Sequence, residues 1–483
     1  MISNNNRLYV FGGPRDQVSI GPNCLGVEIN NELNLFDCGV GMTSVNKKGR
    51  RPGGYGPDMS LIKNIGKKIA NVAFTHFHTD HTAYAPTLEG LRLAKENTAF
   101  WGTPVNNAIS KEMWMDTLNR SSEDDDIGYD YLDYCNAIGR FRAIEKPGQF
   151  QMGNLVVHAI PNGHTYGSTS FIIETPSGHK ALVLGDAAWH NQALVKGATW
   201  PSTWPKELLP DEIWSNDMTY ASGSSEDEKP YSQKRDELIA YVKEKLAEDK
   251  IIILIAASTG KGQSLAMDMA KAEIPCWIDG SIRSFYQIMR QNRWSDLDEP
   301  LPPLGDESGI REVQNHSHRR ELMEDGLPKV IITTSMMGNF GPIVEYFEYG
   351  LPRQNFVFVP TSWLAPGTNA LKLLKLIEKY PSWKGNEDNR KIVLRTRDEN
   401  KNDTKIVVPV VAEVKRFGMS SHGTFGDSLY FMKDLIDARG GKVLDRILVS
   451  HGTYEAISRG AMAFSEFAKN VVPAVRGTIL EVD

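Results

Sequence analysis

The densest chemistry in this chain is His76-Phe77-His78-Thr79-Asp80-His81, which packs three imidazoles and a carboxylate into six positions. The cluster follows the apolar run Ile69 to Phe74 and so closes a buried strand. From such a loop His76 and His78, on alternate residues, can converge on one ion while the adjacent Asp80 and His81 turn toward another. Imidazole with carboxylate suits zinc or manganese. Three more donors fall at strand ends: His164 in PNGHTYGS, Asp186 in LVLGDAA and His451 in ILVSHGT. Singly, a His or Asp after a strand is more often a turn or cap residue. Recurring at one kind of position, they point to a single site for two divalent ions.

The elements that must deliver these groups are legible in outline. RLYVFGG, LGVEI and ELNLFDCGV are β-branched or aromatic runs separated by glycine, proline and asparagine, and are expected as successive strands. TAYAPTLEGLRLAKE (82–96) has helical spacing of Ala and Leu, which sets the ligand cluster at a strand-to-helix junction. The pattern weakens over 111–148, and SSEDDDIGYDYLDY (121–134) is expected as a solvated surface insertion. NLVVHAIPNGH then reads as a strand, and TSFIIET and KALVLGDAA, joined through Pro176, Ser177 and Gly178, as a hairpin. Near Pro205 the texture changes to alternating helices and strands, SQKRDELIAYVKEKLAED, KIIILIAAS, GQSLAMDMAKAE and onward, as in a parallel α/β unit. Strands return in VVPVVAEVKRF, RILVSHG and GTILEV, so one unit interrupts another.

At 483 residues the chain has material for two or three units. Its net charge of −6 and pI near 6.1 exclude a generally basic nucleic-acid binder, so any grip on a polyanion must be local. Cys24, Cys38, Cys135 and Cys276 have neither zinc-ribbon spacing nor the density of a disulfide scaffold and are expected as reduced thiols in a cytoplasm. No secretory leader and no apolar run of about 18 residues is seen, so no membrane partner is expected.

HFHTDH, NGH and GDAA in that order, with Asp37 in LFDCG, resemble the metallo-β-lactamase hydrolase signature. The resemblance implies an αββα sandwich and two zinc ions, with manganese as the alternative. It implies His76, His78 and His164 on the first ion, Asp80 and His81 on the second, Asp186 bridging them, and Asp37 orienting the ligand loop. Over nearly the full chain the sequence is similar to the β-CASP nucleases, ribonuclease J among them, through FGG, IGPN, GGYGPDMSLIK, SNDMTYASG and VIITTS. Asp217 in SNDMTY, His422 in FGMSSHGT and His451 in LVSHGTY match that group's three added motifs. This likeness implies that His451 completes the second ion's set and that His422, paired with Asp217, protonates the leaving oxygen, and a histidine at the third motif favours RNA over DNA. Ser421 and Gly423 flank His422 where ribonuclease J has Gly and Ala, HGTY stands for HGEY, and TTSMMGNFGP for TGSQGEP. The separate C-terminal domain of that family is not expected after VRGTILEVD.

The expected chemistry is hydrolysis of RNA phosphodiesters, exo- or endonucleolytic, with Asp80, Asp217 and His422 as catalytic groups. Two ions acidify water and neutralise phosphate charge. Loops after predicted strands, at Ser258 to Gly260, Thr334 and Ser335, and Ser420 and Ser421, can cradle phosphate or simply cap helices. GKGQS lacks P-loop spacing. His316 and His318 are expected in a solvated loop, and Trp214, Tyr220 and Phe340 as core residues first and base-stacking residues second. The expected architecture is a metallo-β-lactamase domain from 1–205 and 406–483, interrupted by a β-CASP domain over 206–405. Single-stranded RNA is the expected partner, and self-association is open. A DNA nuclease or other phosphodiesterase on the same scaffold, or a non-catalytic RNA-binding scaffold, are the alternatives. The filled ligand positions argue against the last.

Overall fold

The structure is a computed structural model that describes residues 6–15, 20–45, 52–120, 128–221, 223, 229–397 and 403–482. It is α/β, built on three large sheets. The first is seven-stranded, in the order Ile479–Val482, Asn6–Val10, Leu25–Ile29, Glu32–Phe36, Ile69–Ala73, Ala94–Gly102, Phe141–Ala143. The second, also seven-stranded, runs Ala468–Pro473, Leu444–Val449, Glu212–Ser215, Lys180–Val183, Thr169–Glu174, Leu155–Pro161, Gly148–Met152. Both therefore mix strands from the two ends of the chain.

Strand periodicity decides which face meets which layer. Leu8 and Val10 point into a core shared with Phe171, Ile173, Val183, Trp214 and Leu448 of the second sheet, whereas Tyr9 and Phe11 point the other way. On that other face lie the helices Met59–Asn64, Pro104–Arg120 and Tyr131–Gly139, represented by Ile62, Trp114 and Tyr134. The back of the second sheet, through Ile172, Leu182 and Ile447, packs on Phe425–Ala438 and Tyr454–Ala463. The layers thus read helix, sheet, sheet, helix.

The third sheet is parallel, in the order Ile310–Glu312, Cys276–Ile278, Lys329–Thr333, Ile251–Ile255, Phe356–Pro360, Glu413–Val414. The unbroken apolar run of Ile251–Ile255 is explained by burial on both faces. Ile252 and Leu254 meet helices Tyr231–Ala247, Lys261–Lys271 and Ile282–Gln291, while Ile251, Ile253 and Ile255 meet His316–Glu324, Pro342–Gly350 and Asn369–Lys379. Phe77, between His76 and His78, belongs to the former cluster together with Val105, Ile109 and Tyr166. The ligand loop is thereby anchored on the seam between the third sheet's helices and the first sheet.

Some expectations are corrected. The helix expected over 82–96 reduces to the single turns Thr79–Thr82 and Thr87–Gly90 followed by the strand Ala94–Gly102. Pro86 cannot continue the hydrogen-bond ladder, and Arg92 takes a left-handed φ of 54°. Within the acidic stretch, 121–127 lie outside the described residues, but Tyr129 and Tyr134 are buried rather than solvated and Asp130 caps the helix Tyr131–Gly139. His316 and His318 open a helix capped by Asn315 instead of lying in a loop. Trp214 is a core residue, its indole N–H donating to Glu212 at 2.6 Å. The four cysteines are free thiols, and no helix among the described residues is long and apolar enough to cross a membrane.

Phe171 is fully buried between the first two sheets against Phe36 and Phe150. Phe171→Ala should lower unfolding free energy by about 3–5 kcal/mol through lost transfer energy and the cavity left behind. Urea denaturation would check this, and a loss below about 1 kcal/mol would contradict the two-sheet core.

Candidate metal centre

The ligand loop leaves its strand with both ends tied to one carboxylate. Asp37 follows the strand Glu32–Phe36 at φ 60° and accepts the Thr75 backbone N–H at 2.8 Å and the Thr75 hydroxyl at 2.9 Å. His81 Nδ1 lies 2.7 Å from the same carboxylate. The strand end passes so close to the loop that a Cβ on Gly39 would fall 1.7 Å from the Asp80 carbonyl oxygen; a side chain there would push the loop away.

Three donor groups result, and Asp186 belongs to each. In the first, His78 Nδ1 lies 2.9 Å from His76 Nε2 and 3.1 Å from His164 Nε2, with Asp186 Oδ2 at 3.6 Å from both Nε2 atoms. In the second, Asp186 Oδ1 lies 3.3 Å from His81 Nε2 and 3.0 Å from His451 Nε2, and Asp80 Oδ2 is 3.7 Å from His81 Nε2. The third joins Asp186 and His451 to Asp217 and His422, whose Nδ1 and carboxylate are 2.7 Å apart. The two oxygens of one carboxylate therefore face two separate imidazole sets.

The electrostatics fit cation binding. Burial lowers the pKa of His76 and His164 well below that of free imidazole, and brings His78 down to about 4 against the pull of Asp80 and Asp186. His164 Nδ1 donates to the Ser421 carbonyl at 2.9 Å, which leaves its Nε2 lone pair directed at the cluster. Three neutral imidazoles facing one another across 2.9–3.1 Å cannot all find a donor among themselves, whereas a divalent ion satisfies every lone pair. The nitrogen and oxygen donor set, without thiolate, suits zinc or manganese. Burial opposes charge on His81, but Asp186, Asp37 and Asp80 prevail and raise its pKa. Burial likewise works against ionisation of Asp186, yet His451 and His81 hold its pKa well below the usual carboxylate range.

The expected site residues are distributed unevenly around this centre. His76, His78, Asp80, His81, His164, Asp186, Asp217, His422 and His451 converge, with Asp37 behind them. Of the three serines expected to hold phosphate, the described contacts tie Ser421 alone to the histidines, through its carbonyl. Ser258 gives its carbonyl to Gln263, and Ser335 sits in the turn before Pro342–Gly350. The Tyr220 ring centroid is 5.9 Å from that of His422, and Phe340 is 38% exposed. Sequence reading missed Thr75, Gln192, whose amide N–H donates to the carbonyls of Gly163 and His164 at 2.9 Å, and Asn23, whose amide nitrogen is 2.6 Å from His451 Nδ1. Asn23 stands in the IGPN segment that contributes to the family resemblance, but the resemblance assigns it no role, and an asparagine straight after a glycine-proline pair by itself signals a turn.

No family model matches the chain. It is similar to the transcription termination factor FttA of Methanothermobacter thermautotrophicus, 22% identical over 395 residues, covering 78% of this chain and 59% of that protein. The FttA of Methanococcus maripaludis is 21% identical over 486 residues, covering 96% and 69%, and that of Thermococcus kodakarensis 23% over 408, covering 78% and 58%. The chain thus spans about three fifths of the length of the first of these relatives. A protein of unknown function from Enterococcus faecalis V583, solved by crystallography, superposes with a TM-score of 0.57 at 11% identity, over 99% of this chain and 100% of that one, which shows a shared fold.

Burial disfavours charge on His422, but Asp217 and then Asp186 and Asp80 overcome it and raise its pKa from 6.5 to about 9. A raised folded-state value means that the pair's stabilisation is complete below about 6.5 and is lost as pH climbs through about 9. In protein stripped of divalent ions, the stability gap between wild type and Asp217→Asn, read by urea unfolding, should therefore shrink across that window. A gap that stays constant or widens would contradict the assignment.

Proposed function

We propose that the chain is a two-metal ribonuclease of the β-CASP type, hydrolysing phosphodiester bonds of single-stranded RNA. The observation that carries the reading is Asp186, whose two oxygens face two histidine sets with a separate His422–Asp217 pair beside them. The helix, sheet, sheet, helix layering supports a metallo-β-lactamase scaffold, and the parallel third sheet supports an inserted β-CASP domain. Glu212–Ser215 pairs within the second sheet and Glu413–Val414 within the third, which favours moving the two boundaries from 205 and 405 to positions after Ser215 and after Val414. The relatives are named as transcription termination factors, which accords with an RNA substrate and a cytoplasmic setting.

His76, His78 and His164 would hold one ion and Asp80, His81 and His451 the other, with Asp186 between them, the ions being zinc or manganese. When bound, such ions acidify water and neutralise phosphate charge. The chain's own residues do the rest. Asp217 is held by the N–H groups of Ala187 at 3.3 Å and Thr219 at 3.0 Å, so its carboxylate is fixed before any substrate arrives. It grips His422 Nδ1, keeps the ring cationic at neutral pH and leaves Nε2–H to protonate the departing 3′ oxygen. The His422 side chain is 19% exposed, unlike the ligand histidines His76, His81, His164 and His451, which suits contact with substrate. Asp37 orients His81 without reaching the reacting atoms.

Two assays test this. Metal-loaded protein should cleave 5′-monophosphorylated or 5′-triphosphorylated RNA in preference to matched DNA, and His76→Ala with Asp80→Ala should abolish cleavage. Equal inactivity of wild type and double variant on every oligomer would sink the ribonuclease reading, and preference for DNA would redirect it to a DNA nuclease on the same scaffold. His422→Ala should cut kcat on the order of 10²–10⁴-fold with KM little changed, as befits loss of a general acid. A rise in KM with kcat intact would instead make His422 a binding residue.

A further inference from the structure

Asn23 joins three segments that lie far apart in the sequence. Its backbone N–H donates to the Asp80 carbonyl at 2.8 Å and its carbonyl accepts from Gly39 at 3.0 Å, which locks the Gly21 to Cys24 loop onto the ligand loop. Its side-chain amide nitrogen lies 2.6 Å from His451 Nδ1 and 2.9 Å from His81 Nε2. His451 itself follows the strand Leu444–Val449 in a left-handed conformation, φ 49°, so its ring direction is not set by strand geometry.

The two histidines of the second donor set have different supports. His81 takes its orientation from Asp37 at Nδ1. His451 faces Asp186 with Nε2 at 3.0 Å, and its Nδ1 faces Asn23. For Nε2 to offer a lone pair to an ion beside Asp186, the ring proton must reside on Nδ1 and must have an acceptor there. A carboxamide supplies one by turning its oxygen to the place of its nitrogen, two atoms of nearly the same size; that oxygen then faces His81 Nε2 at 2.9 Å, a meeting of two acceptors that a cation held by His81 would relieve. We propose that Asn23 is the positioning residue of the second ion: it fixes the ring direction and tautomer of His451 and thereby tunes that ion's affinity, leaving the ion of His76, His78 and His164 untouched.

This inference rests on the two-metal reading above, so ion content rather than cleavage is the primary test. Wild type, Asn23→Ala and Asn23→Asp are loaded with zinc, titrated with a chelator and counted by elemental analysis, and cobalt-loaded samples are followed by absorption. Wild type is expected to retain two ions. Asn23→Ala should bind the second about 10–100-fold more weakly while the first is unchanged, and Asn23→Asp, which keeps an acceptor for the Nδ1 proton, should restore it. Circular dichroism reports the fold, and Asn23→Ser carries the same expectation as Asn23→Ala should the alanine protein not fold. Equal weakening of both ions without rescue by aspartate, or unchanged affinity in Asn23→Ala, would overturn the assignment of Asn23 and leave the metal reading standing. A wild type that retains no divalent ion would remove the metal reading itself, and the inference with it.

Discussion

A carboxylate that is 2% exposed governs this structure. Asp186 sits at the end of the strand Lys180–Val183 with imidazoles of His76, His81, His164, His422 and His451 within 4 Å. A charge so far from water must be compensated or it will not persist. The compensation comes from residues spread across 376 positions of chain, 76 to 451 counted inclusively, so the fold must return repeatedly to one point. The returns that bring His76, His164, Asp186 and His451 follow strand ends, where the backbone has just been freed from its ladder, whereas His422 is carried by the loop before the helix Phe425–Ala438.

That requirement explains why both ends of the chain are woven into the same two sheets. Ile479–Val482 pairs with Asn6–Val10, and Leu444–Val449 pairs with Glu212–Ser215, so His451 arrives beside Asp186 only after the third sheet has been completed. Phe77 adds a link of another kind, because its burial among residues of the third sheet's helices fixes the loop that carries His76 and His78. Packing of the third sheet's helices and geometry of the donors are therefore mechanically connected.

The sequence made the donors legible because their density is local: HFHTDH needs no tertiary information to be read as ligands. The strands around them were legible for the same reason, since RLYVFGG and LVLGDAA carry their period within a few residues. Thr82 to Glu96 misled because its Ala and Leu spacing is helical while Pro86 and the left-handed Arg92 forbid a continuous helix. The contact made by Asn23 was illegible for a different reason, although IGPN itself is one of the matched segments. Asn23 acts on His451 across a separation of 428 residues, and nothing in the Gly-Pro-Asn turn announces a contact that only sheet closure creates. Supporting residues of this kind have no spacing rule, whereas the candidate ligands beside them do.

Charge adds a last constraint on the proposed chemistry. The chain carries −6 overall, and the centre itself gathers Asp37, Asp80, Asp186 and Asp217 around histidines of which His76, His78 and His164 are held neutral. Without cations such a pocket offers a phosphate more repulsion than attraction. Two divalent ions would invert the sign locally, so on this reading ion loading governs substrate recognition as well as bond cleavage. The neutral state of the three histidines then serves both purposes: it leaves their lone pairs for the ion and avoids placing protons where the ion must sit.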